Sequence, residues 1–450
     1  MQARCAALAL CALLAACTDD SDQREEPVSL TVVPTAAPEG APGEMPPLTL
    51  RITLTEPASR AVTVRYETAA GTATAGVDYL DTAGETRIAP GDLEGSITVD
   101  MIGDAEEEPA ETLTVHIETS DNAVATANAV TGTIANDDSA CDTPFSTDPN
   151  PWLVNGADPL NFAHRGGVTD FPENTLYAYS EAALAGADVL EMDVYQTADN
   201  ELVILHDLDV DRTTNGTGNV VDLTLAEIQA LDAAYWFVPG EGTPHDRPEE
   251  AYVFRGIATG DKPPPPGYAP EDFRVPTLEE ALARFPHELI NLELKPDLDG
   301  EGGYETQMAD LLQRYGRSTD MIAASFVDEA ANNFKAVAPC VYTSIPLDQG
   351  TALVFGFLGT GEFPEVPEHI TWQVPPDTSQ IGQVDFDLEI VTPEFVAASH
   401  AVNLAVQVWT INTCEEMLRM IDLGVDAIMT DAPILLEELL SQPPGERSCE

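Results

Sequence analysis

Two histidines and two carboxylates are the residues whose types and spacing point most directly to chemistry. His164 and His206 each close a short apolar run. Glu191 and Asp193 lie two positions apart within the run ADVLEMDVY, and Arg165 follows the first histidine. Side chains two apart on a strand share a face, so the two carboxylates would point the same way. Oxygen ligands, groups that titrate near neutral pH and a nearby cation predict a site for a divalent cation and an anionic ester.

A parallel α/β architecture is the arrangement that would bring these residues together. From residue 160 onward, short apolar runs alternate with helical patterns, which favours an α/β TIM-type barrel. The strand-like runs are at 161–164, 189–194, 202–205, 289–294, 321–325, 341–345, 405–411 and 427–429. The helical patterns are at 174–185, 225–231, 278–285, 305–315, 393–399 and 414–423. Function in such barrels lies at the carboxyl ends of the strands, where we find His164, Asp193, His206, Glu293 and Asp431.

One connection is too short for the barrel pattern. Residues 194–202 leave no room for a crossover helix, so the chain should turn back as a hairpin. A two-residue turn at Asp199 and Asn200 would pair Asp193 with His206. We therefore expect the return strand to bring His206 level with the carboxylates.

The charge of the chain limits its partners. In its 450 residues, 78 acidic side chains oppose 19 basic ones, for a net charge of −59. Such a surface excludes nucleic acid and repels anionic membranes at long range. A phosphate substrate would need local cations, namely a metal ion, Arg165 and a lysine.

The N-terminus has the pattern of a targeting segment. Residues 1–16 hold an apolar stretch too short to span a bilayer. The sequence LAAC at 14–17 resembles the lipobox of bacterial lipoproteins, which implies cleavage before Cys17 and lipidation of its thiol. Residues 17–27 would then form a tether. We expect export to the bacterial cell envelope, periplasmic or outer surface, with a membrane anchor at Cys17; the alternative is an ordinary secretory signal.

Export makes disulfides possible. Four cysteines follow Cys17, and their spacing fits no zinc motif. Four cysteines allow three pairings. Because chain ends often lie close together, we favour Cys141–Cys449, which would leave Cys340 and Cys414.

Residues 28–138 have the alternating pattern of an all-β sandwich. The segments GTATAGVDY at 71–79, GD at 103–104 with the acids that follow, and GTIANDD at 132–138 resemble the Calx-beta domain. The resemblance implies calcium binding by clustered carboxylates at one end of the sandwich. The matching positions are Glu39, Asp78, Asp104, Glu108, Asp137 and Asp138. The alternative is that these are ordinary solvated acids of a spacer or adhesion domain.

A linker at 139–158 separates this sandwich from a second domain at 159–441, and a tail follows at 442–450. An insertion at 233–273 follows a barrel strand and should lie over the top face. Its aromatic residues and Arg255 could contact the alcohol or lipid part of a substrate; the alternative is a loop packed on itself. Residues 350–368 read as a second irregular stretch.

The second domain resembles the glycerophosphodiester phosphodiesterase family over its full length. The matching segments are AHRG at 163–166, PENT at 172–175, GAD at 186–188, EMDV at 191–194, HD at 206–207, DRTT at 211–214, PTLEE at 276–280, NLELK at 291–295, VWTIN at 408–412 and TDAP at 430–433. The resemblance implies a TIM barrel that hydrolyses glycerol-type phosphodiesters with a divalent metal.

The resemblance also implies roles for individual residues. Glu191, Asp193 and Glu293 match the metal ligands, and oxygen donors suit Ca²⁺ or Mg²⁺. His164 and His206 match the acid–base pair, with the two roles not assigned, acting through a cyclic phosphate formed by the substrate's own hydroxyl.

Four further residues surround this set. Arg165 and Lys295 would hold the phosphate oxygens, although Lys295 could instead form a salt bridge to Glu293. Glu173 resembles a residue that orients Arg165 or a ligand. Asn174 could be the N-cap of the next helix, and Trp409 could be either a wall of the substrate site or a core aromatic.

The sequence is compatible with three functions. The leading one is release of an alcohol and sn-glycerol 3-phosphate from glycerophosphodiesters. A lysophospholipase D-like enzyme acting on lysolipid substrates is supported only by the aromatic insertion. A non-catalytic, calcium-dependent surface or adhesion module would be expected to have lost the catalytic set, which is intact here.

Overall fold

The fold consists of a β-sandwich followed by an α/β barrel. The computed structural model describes residues 27–138, 141, 143–296, 303–363, 368–380 and 388–449. The predicted targeting segment, the tether up to residue 26 and Cys17 lie outside the described residues. No helix of the described part is long and apolar enough to cross a membrane.

The sandwich is made of two sheets packed face to face. Its strands β1 to β9 are, in chain order, Val28–Val32, Thr35–Pro38, Pro47–Leu54, Val62–Ala70, Ala83–Ile88, Glu94–Asp100, Glu111–Thr119, Ala123–Ala125 and Ala129–Ala135. One sheet has the order β6-β3-β1-β8 and the other the order β2-β9-β7-β4-β5. On β7, Leu113, Val115 and Ile117 are buried between the sheets, whereas His116 faces solvent. The two-residue period of the sequence therefore predicted both faces correctly.

The second domain alternates strands with helices. Its strands β10 to β18 are Leu160–Ala163, Val189–Gln196, Leu202–Ile204, Leu289–Leu294, Met321–Ala324, Tyr342–Thr343, Thr371–Val374, Ala405–Val408 and Ala427–Thr430. Its helices α1 to α9 are Leu176–Leu184, Leu225–Gln229, Leu278–Arg284, Glu305–Arg314, Asp328–Val337, Leu347–Thr360, Pro393–Ala401, Cys414–Leu423 and Pro433–Leu440.

Eight parallel strands of the described residues form a nearly closed barrel. Their order is β15-β14-β13-β11-β10-β18-β17-β16, and β12 pairs with β11 outside this path. A single parallel bridge between Ser344 and Thr371 joins the two end strands. The predicted TIM-type barrel is confirmed, and it places the carboxyl ends of its strands on one face.

Four of the barrel elements were not predicted: one strand and three helices. Helices α5 and α9 were absent from the predicted patterns, strand β16 was absent from the predicted runs, and helix α6 occupies most of the stretch at 350–368 that was predicted to be irregular. Strand β16 has only four residues, TWQV, of which one is a glutamine. Helix α6 carries apolar residues around most of its circumference, so it lacks the alternation by which a helix is recognised.

The hairpin between β11 and β12 exists, but its turn is longer by one residue than predicted. Thr197 and Glu201 close the turn, with the Thr197 N–H donating to the Glu201 carbonyl at 2.9 Å. Three residues lie between them, and Asn200 adopts φ +63°. Asparagine tolerates this left-handed conformation better than most residues, which permits the three-residue turn.

This turn shifts the register of the hairpin. The Leu205 N–H donates to the Asp193 carbonyl at 3.0 Å, so Leu205, and not His206, lies opposite Asp193. The predicted pairing of Asp193 with His206 is therefore wrong. His206 instead follows the end of β12 and reaches the site from the loop.

The disulfide prediction is also wrong. The structure pairs Cys141 with Cys340 and Cys414 with Cys449. Cys141 lies beside the loop that precedes β15, where the Phe145 N–H donates to the Pro339 carbonyl at 2.9 Å. The linker is thus attached to the barrel wall, and the chain end is attached to α8.

Candidate active site

Three carboxylates from neighbouring strands meet at the carboxyl end of the barrel. Glu191 and Asp193 lie on β11, and Glu293 lies directly beside Asp193 on β13. One carboxylate oxygen from each residue lies within 4.8 Å of the other two. Glu191 and Asp193 are buried, and a buried carboxylate is costly without a compensating cation.

This group of carboxylates has the donor chemistry of a hard divalent cation. All three side chains offer oxygen, the ligand preferred by Ca²⁺ and Mg²⁺. Burial, followed by the charges of Asp193 and Glu293, raises the pKa of Glu191 well above its usual range. The fold therefore holds three carboxylates close together, and a cation would neutralise their negative charge.

Lys295 lies against the same carboxylates. Its Nζ is 2.9 Å from Asp193 Oδ1 and 2.6 Å from Glu293 Oε1. Burial favours loss of the lysine proton, but the charges of Asp193 and Glu293 raise the pKa of Lys295 above its usual range. The salt bridge that the sequence offered as an alternative is present, and the ammonium group also lines the cavity.

Arg165 turns the chain back toward the carboxylates. Its backbone has φ +54°, and its N–H donates to Glu191 Oε2 at 2.8 Å. Its guanidinium Nη1 donates to Glu173 Oε1 at 3.2 Å, and its Nε lies 3.5 Å from Asp193 Oδ2. The expectation that Glu173 orients Arg165 agrees with this contact.

The two glycines after Arg165 allow helices to approach the turn closely. Gly166 has φ +82°, and a Cβ placed on it would lie 2.9 Å from the Cβ of Ala178 in α1. Gly167 has φ +97°, and its added Cβ would lie 2.8 Å from Pro433 Cγ in α9. Glycine is therefore required at both positions for sterics as well as conformation.

Asn174 supports the site and does not cap the helix. The N-cap of α1 is Thr175, whose hydroxyl accepts the Ala178 N–H at 3.1 Å. Asn174 Nδ2 instead donates to Asp193 Oδ2 at 2.9 Å, and the Tyr179 hydroxyl donates to Asn174 Oδ1 at 2.5 Å. The alternative of Asn174 as an N-cap was wrong, because a neighbouring hydroxyl performs that role.

His164 is held by a carboxylate from the last barrel strand. Its Nδ1 lies 2.6 Å from Asp431 Oδ1. Asn412 Nδ2 donates to the other oxygen of Asp431 at 2.6 Å. Burial would raise the pKa of Asp431, but the hydrogen bonds from His164 and Asn412 and the charge of His164 lower it.

His206 has a matching carboxylate with a different partner. Its Nδ1 lies 2.7 Å from Asp207 Oδ1, and Arg212 Nε donates to Asp207 Oδ2 at 2.5 Å. Arg212 also forms two hydrogen bonds of 2.7 Å with Glu173. Glu173 therefore links Arg165 to the support of His206.

These supports leave one ring nitrogen of each histidine for the substrate. With Nδ1 bound to a carboxylate, Nε2 is the nitrogen that can accept or release a proton. Asp207 and Arg212 were not predicted as site residues, and Asp431 was placed at a functional strand end without a role. Their positions in the segments TDAP, HD and DRTT were the available signal.

Seven of the predicted site residues face one cavity of about 590 Å³. Its lining includes His164, Arg165, Glu191, His206, Glu293, Lys295 and Trp409. Asp193 and Glu173 are buried and lie behind this lining in the described part of the chain. The Trp409 ring also packs against Phe326, with centroids 5.5 Å apart, so it is a wall of the cavity.

The aromatic insertion does not contribute to the cavity in the described residues. The Arg255 guanidinium lies 4.0 Å from the ring centroid of Tyr235 and 3.9 Å from that of Tyr252. Its Nη1 also donates to Glu249 at 2.6 Å. The insertion is a loop packed on itself and on α1, so it gives the lysolipid interpretation no support.

The sandwich carries two further groups of carboxylates. Within each group, ligand oxygens lie within 4.8 Å of one another; the first group is Glu39, Asp104 and Asp138, and the second is Asp78, Glu108 and Glu111. Burial, followed by the charges of Asp104 and Asp137, raises the pKa of Glu39 to about 8. Asp137 therefore borders the first group without belonging to it, and Glu111 had not been predicted.

Comparison with known proteins matches both domains to families. The glycerophosphoryl diester phosphodiesterase family matches residues 164–435, and the Calx-beta domain matches residues 43–139. A glycerophosphodiester phosphodiesterase of Caldanaerobacter subterraneus is 32% identical over 283 residues, covering 62% of this chain and 97% of the relative. A lysophospholipase D of Rattus norvegicus is 24% identical over 309 residues, covering 62% and 86% respectively.

The comparison of folds agrees. The crystal structure of the glycerophosphoryl diester phosphodiesterase domain of a Mycobacterium tuberculosis protein superimposes with a TM-score of 0.51 at 20% identity. The match covers 62% of this chain and 98% of that domain. At this identity the likeness supports the barrel architecture alone.

Proposed function

Because this chain belongs to the glycerophosphoryl diester phosphodiesterase family, we propose that it hydrolyses glycerophosphodiesters to an alcohol and sn-glycerol 3-phosphate. The observation that carries the proposal is the meeting of two carboxylate-bound histidines and three carboxylates around one cavity. In each histidine, a carboxylate binds one ring nitrogen and so orients the ring. A module that only binds calcium or a partner would not need this arrangement. The non-catalytic alternative is therefore disfavoured.

The chain's own residues position the phosphate and move the protons. Arg165 and Lys295 line the cavity and draw the phosphate oxygens toward the carboxylate cluster. One histidine accepts the proton of the substrate's neighbouring hydroxyl, whose oxygen bonds to phosphorus. The other histidine donates a proton to the alcohol oxygen as its bond to phosphorus breaks. Water then opens the cyclic phosphate with the two proton transfers reversed.

The family is divalent-metal dependent, and Glu191, Asp193 and Glu293 would hold the cation. A bound Ca²⁺ or Mg²⁺ would supply positive charge beside the phosphate as negative charge develops. Among the described residues, the side chains of Lys295 and Arg165 lie against this group of three carboxylates, which would still carry negative charge for a cation to neutralise.

Metal removal tests this assignment directly. Glycerophosphocholine hydrolysis should be lost in EDTA and return when Ca²⁺ or Mg²⁺ is added back. Glu293→Gln removes one ligand charge and should lower kcat/KM by at least about 100-fold, as should His164→Ala or His206→Ala. Glu394→Gln, on the exposed side of α7, is the matched control. Full activity of the Glu293 variant, or of the wild-type protein in EDTA, would contradict the proposal.

We also propose that the chain is exported and anchored by a lipid at Cys17. The LAAC segment supports this, and the two disulfides fit an oxidising compartment. Radiolabelled palmitate should label the protein in cells, and Cys17→Ser should abolish the label while the protein is still exported. Equal labelling of the variant would rule out the anchor.

For the sandwich, we propose that its two carboxylate groups bind Ca²⁺. Burial raises the pKa of Glu39, and the charges of Asp104 and Asp137, which a cation would offset, raise it further. Added Ca²⁺ should raise the midpoint of thermal unfolding of the sandwich, and Asp104→Asn combined with Glu108→Gln should remove that increase. An identical increase in the double variant would place the calcium elsewhere.

A further inference from the structure

Residues 237–245 of the insertion, FVPGEGTPH, contact both of the loops that follow His164 and His206. We call this segment the clasp. It closes on itself as a tight turn, in which the Val238 N–H donates to the Gly242 carbonyl at 2.7 Å and the Gly242 N–H donates to the Val238 carbonyl at 3.1 Å. None of its residues lines the catalytic cavity in the described part of the chain. Any effect of the clasp on catalysis therefore passes through the loops that it contacts.

On one side, the clasp holds the arginine that supports His206. His245 Nε2 lies 2.9 Å from the Arg212 carbonyl oxygen. A carbonyl oxygen can only accept a hydrogen bond, so this nitrogen carries the proton and is the donor. Arg212 Nη1 in turn donates to the Thr243 hydroxyl at 3.3 Å. The clasp thus contacts both the backbone and the guanidinium of Arg212, whose Nε binds the Asp207 carboxylate that holds His206.

On the other side, the clasp is joined to the residue that supports His164. The Gly240 N–H donates to the Thr169 carbonyl at 2.7 Å. The N–H and the hydroxyl of Thr169 both donate to the Asp431 carbonyl, at 3.0 Å and 2.9 Å respectively. The side chain of Asp431 binds His164 Nδ1. One short segment therefore connects the supports of both histidines.

The aromatic residues of the insertion hold the clasp in place. The Trp236 ring stacks on the His245 ring, with centroids 4.2 Å apart and an interplanar angle of 16°. The Tyr252 hydroxyl donates to the Pro244 carbonyl at 3.0 Å, and Phe237 is buried. Packing of this kind offsets the conformational entropy that a loop loses when it is ordered. These aromatic residues therefore fix the conformation of the clasp.

We propose that the clasp is a positioning element that sets the distance between His164 and His206, with Gly240, Thr243 and His245 as its positioning residues. The inference rests on the proposed phosphodiesterase function, in which one histidine accepts a proton while the other donates one. Both transfers occur at the same phosphate, so the two rings need a fixed separation. A loosened clasp should therefore lower kcat, whereas KM should change little because the groups that bind the phosphate are untouched.

Two glycines of the insertion form a matched pair for the first test. Gly240 has φ +80° and Gly260 has φ +79°, and a Cβ added to either would meet no atom of the described residues within 4 Å. Alanine is therefore similarly strained at the two positions. The Gly240 N–H reaches Thr169, whereas the Gly260 N–H donates to the Ile257 carbonyl at 2.9 Å. The two changes thus differ in their connection to the histidine supports.

Gly240→Ala should lower kcat for glycerophosphocholine by about tenfold and change KM by less than about twofold. Gly260→Ala should leave both values unchanged. Equal values of kcat in the two variants would overturn the inference, because any effect would then belong to the stability of the insertion. A wild-type protein that does not hydrolyse glycerophosphocholine would instead refute the proposed function.

Exchange of a hydroxyl is the second test. Thr243→Val keeps the branched shape of the side chain but removes the acceptor for Arg212, so kcat should fall by at least about threefold. Thr243→Ser keeps the hydroxyl and should restore kcat. The control is Thr259→Val, which removes a hydroxyl that donates to Asp261 Oδ2 at 2.9 Å elsewhere in the insertion. If serine fails to restore kcat, or if the control falls equally, the inference is overturned.

A double-mutant cycle tests whether His245 acts through Arg212. His245→Phe keeps an aromatic ring beside Trp236 but removes the N–H that binds the Arg212 carbonyl, and it should lower kcat by at least about threefold. In an Arg212→Lys background the same change should lower kcat little further. Purely additive effects would overturn the inference. Circular dichroism would verify that each variant is folded, and if Gly240→Ala is not, the hydroxyl exchange and the cycle decide.

Discussion

At the scale of single residues, the two histidines that line the cavity, His164 and His206, have different supports. The carboxylate that holds His164 is itself bound by a neutral amide, that of Asn412. The carboxylate that holds His206 is bound by the charged Arg212. Each carboxylate fixes a ring nitrogen, so its removal should affect catalysis more than substrate binding.

Asp431→Asn tests this support. The change keeps the size of the side chain but removes the charge that orients the His164 ring. We expect kcat for glycerophosphocholine to fall by at least about 100-fold with little change in KM. Steady-state kinetics would measure both values.

The matched control for this variant is Asp188→Asn. Asp188 accepts the Asn161 N–H at 2.8 Å at the opposite end of the barrel strands. It should leave kcat near the wild-type value. A similar fall in both variants would assign the effect to the stability of the barrel.

At the scale of elements, the closure of the barrel includes a buried histidine. His369 precedes β16, and its Nδ1 lies 2.8 Å from the hydroxyl of Thr343 on β15. Burial, followed by the charge of Lys335, lowers the pKa of His369 to about 3. The imidazole therefore stays neutral in the folded chain at pH values where an unfolded chain would protonate it.

This depressed pKa predicts a direction for acid instability. The neutral imidazole of His369 contributes fully to the free energy of unfolding above pH 6.5, the pKa of histidine in the unfolded chain. This contribution is lost as the pH falls toward about 3, the pKa of His369 in the folded chain. Between these two pH values, the free energy of unfolding should fall by close to about 1.4 kcal/mol per pH unit. His369→Gln should flatten this part of the dependence of the free energy of unfolding on pH.

Urea unfolding at a series of pH values would measure the effect. His116→Gln, exposed on β7, is the control and should keep the wild-type slope. If the His369 variant and the wild-type protein lose stability in parallel from pH 6.5 to 4, the burial of His369 is not the cause.

At the scale of the whole molecule, a buried carboxylate joins the two domains. Asp272, in the insertion, is fully buried. Both of its oxygens lie 2.7 Å from Arg51 Nη2 on β3 of the sandwich. Arg284 of α3 donates to the same carboxylate at 2.5 Å. The insertion, which was expected to lie over the top face, thus also contacts the sandwich domain.

Arg51→Ala should weaken this contact. The change leaves Asp272 with Arg284 as its remaining charged partner. We expect the free energy of unfolding to fall by about 1–3 kcal/mol. Thermal unfolding of the full chain would measure the loss. Arg65→Ala removes an exposed ion pair in which Arg65 Nε lies 3.8 Å from Glu85 Oε2. This change should lower the free energy of unfolding far less. Equal losses would show that the Arg51–Asp272 pair does not hold the domains together.

Local patterns were sufficient for much of the molecule. The two-residue period assigned the faces of β7, and the alternation of strand and helix patterns predicted the barrel. The spacing of Glu191 and Asp193 predicted one shared face, and the match of Glu293 to a metal ligand predicted its place beside them. Such features depend on residues that are near one another in the chain, or on a family pattern that already encodes the fold.

What the sequence by itself determined is therefore the kinds of groups at the strand ends and the architecture that gathers them. The tertiary structure alone decided that Asp431, 267 residues from His164, holds its ring. It also decided the hairpin register, the cysteine pairing and the position of α6 against the cavity. The register depends on the length of a turn that the local sequence leaves open, whereas the other contacts join segments distant in the chain, and such contacts leave no period or spacing in the local sequence.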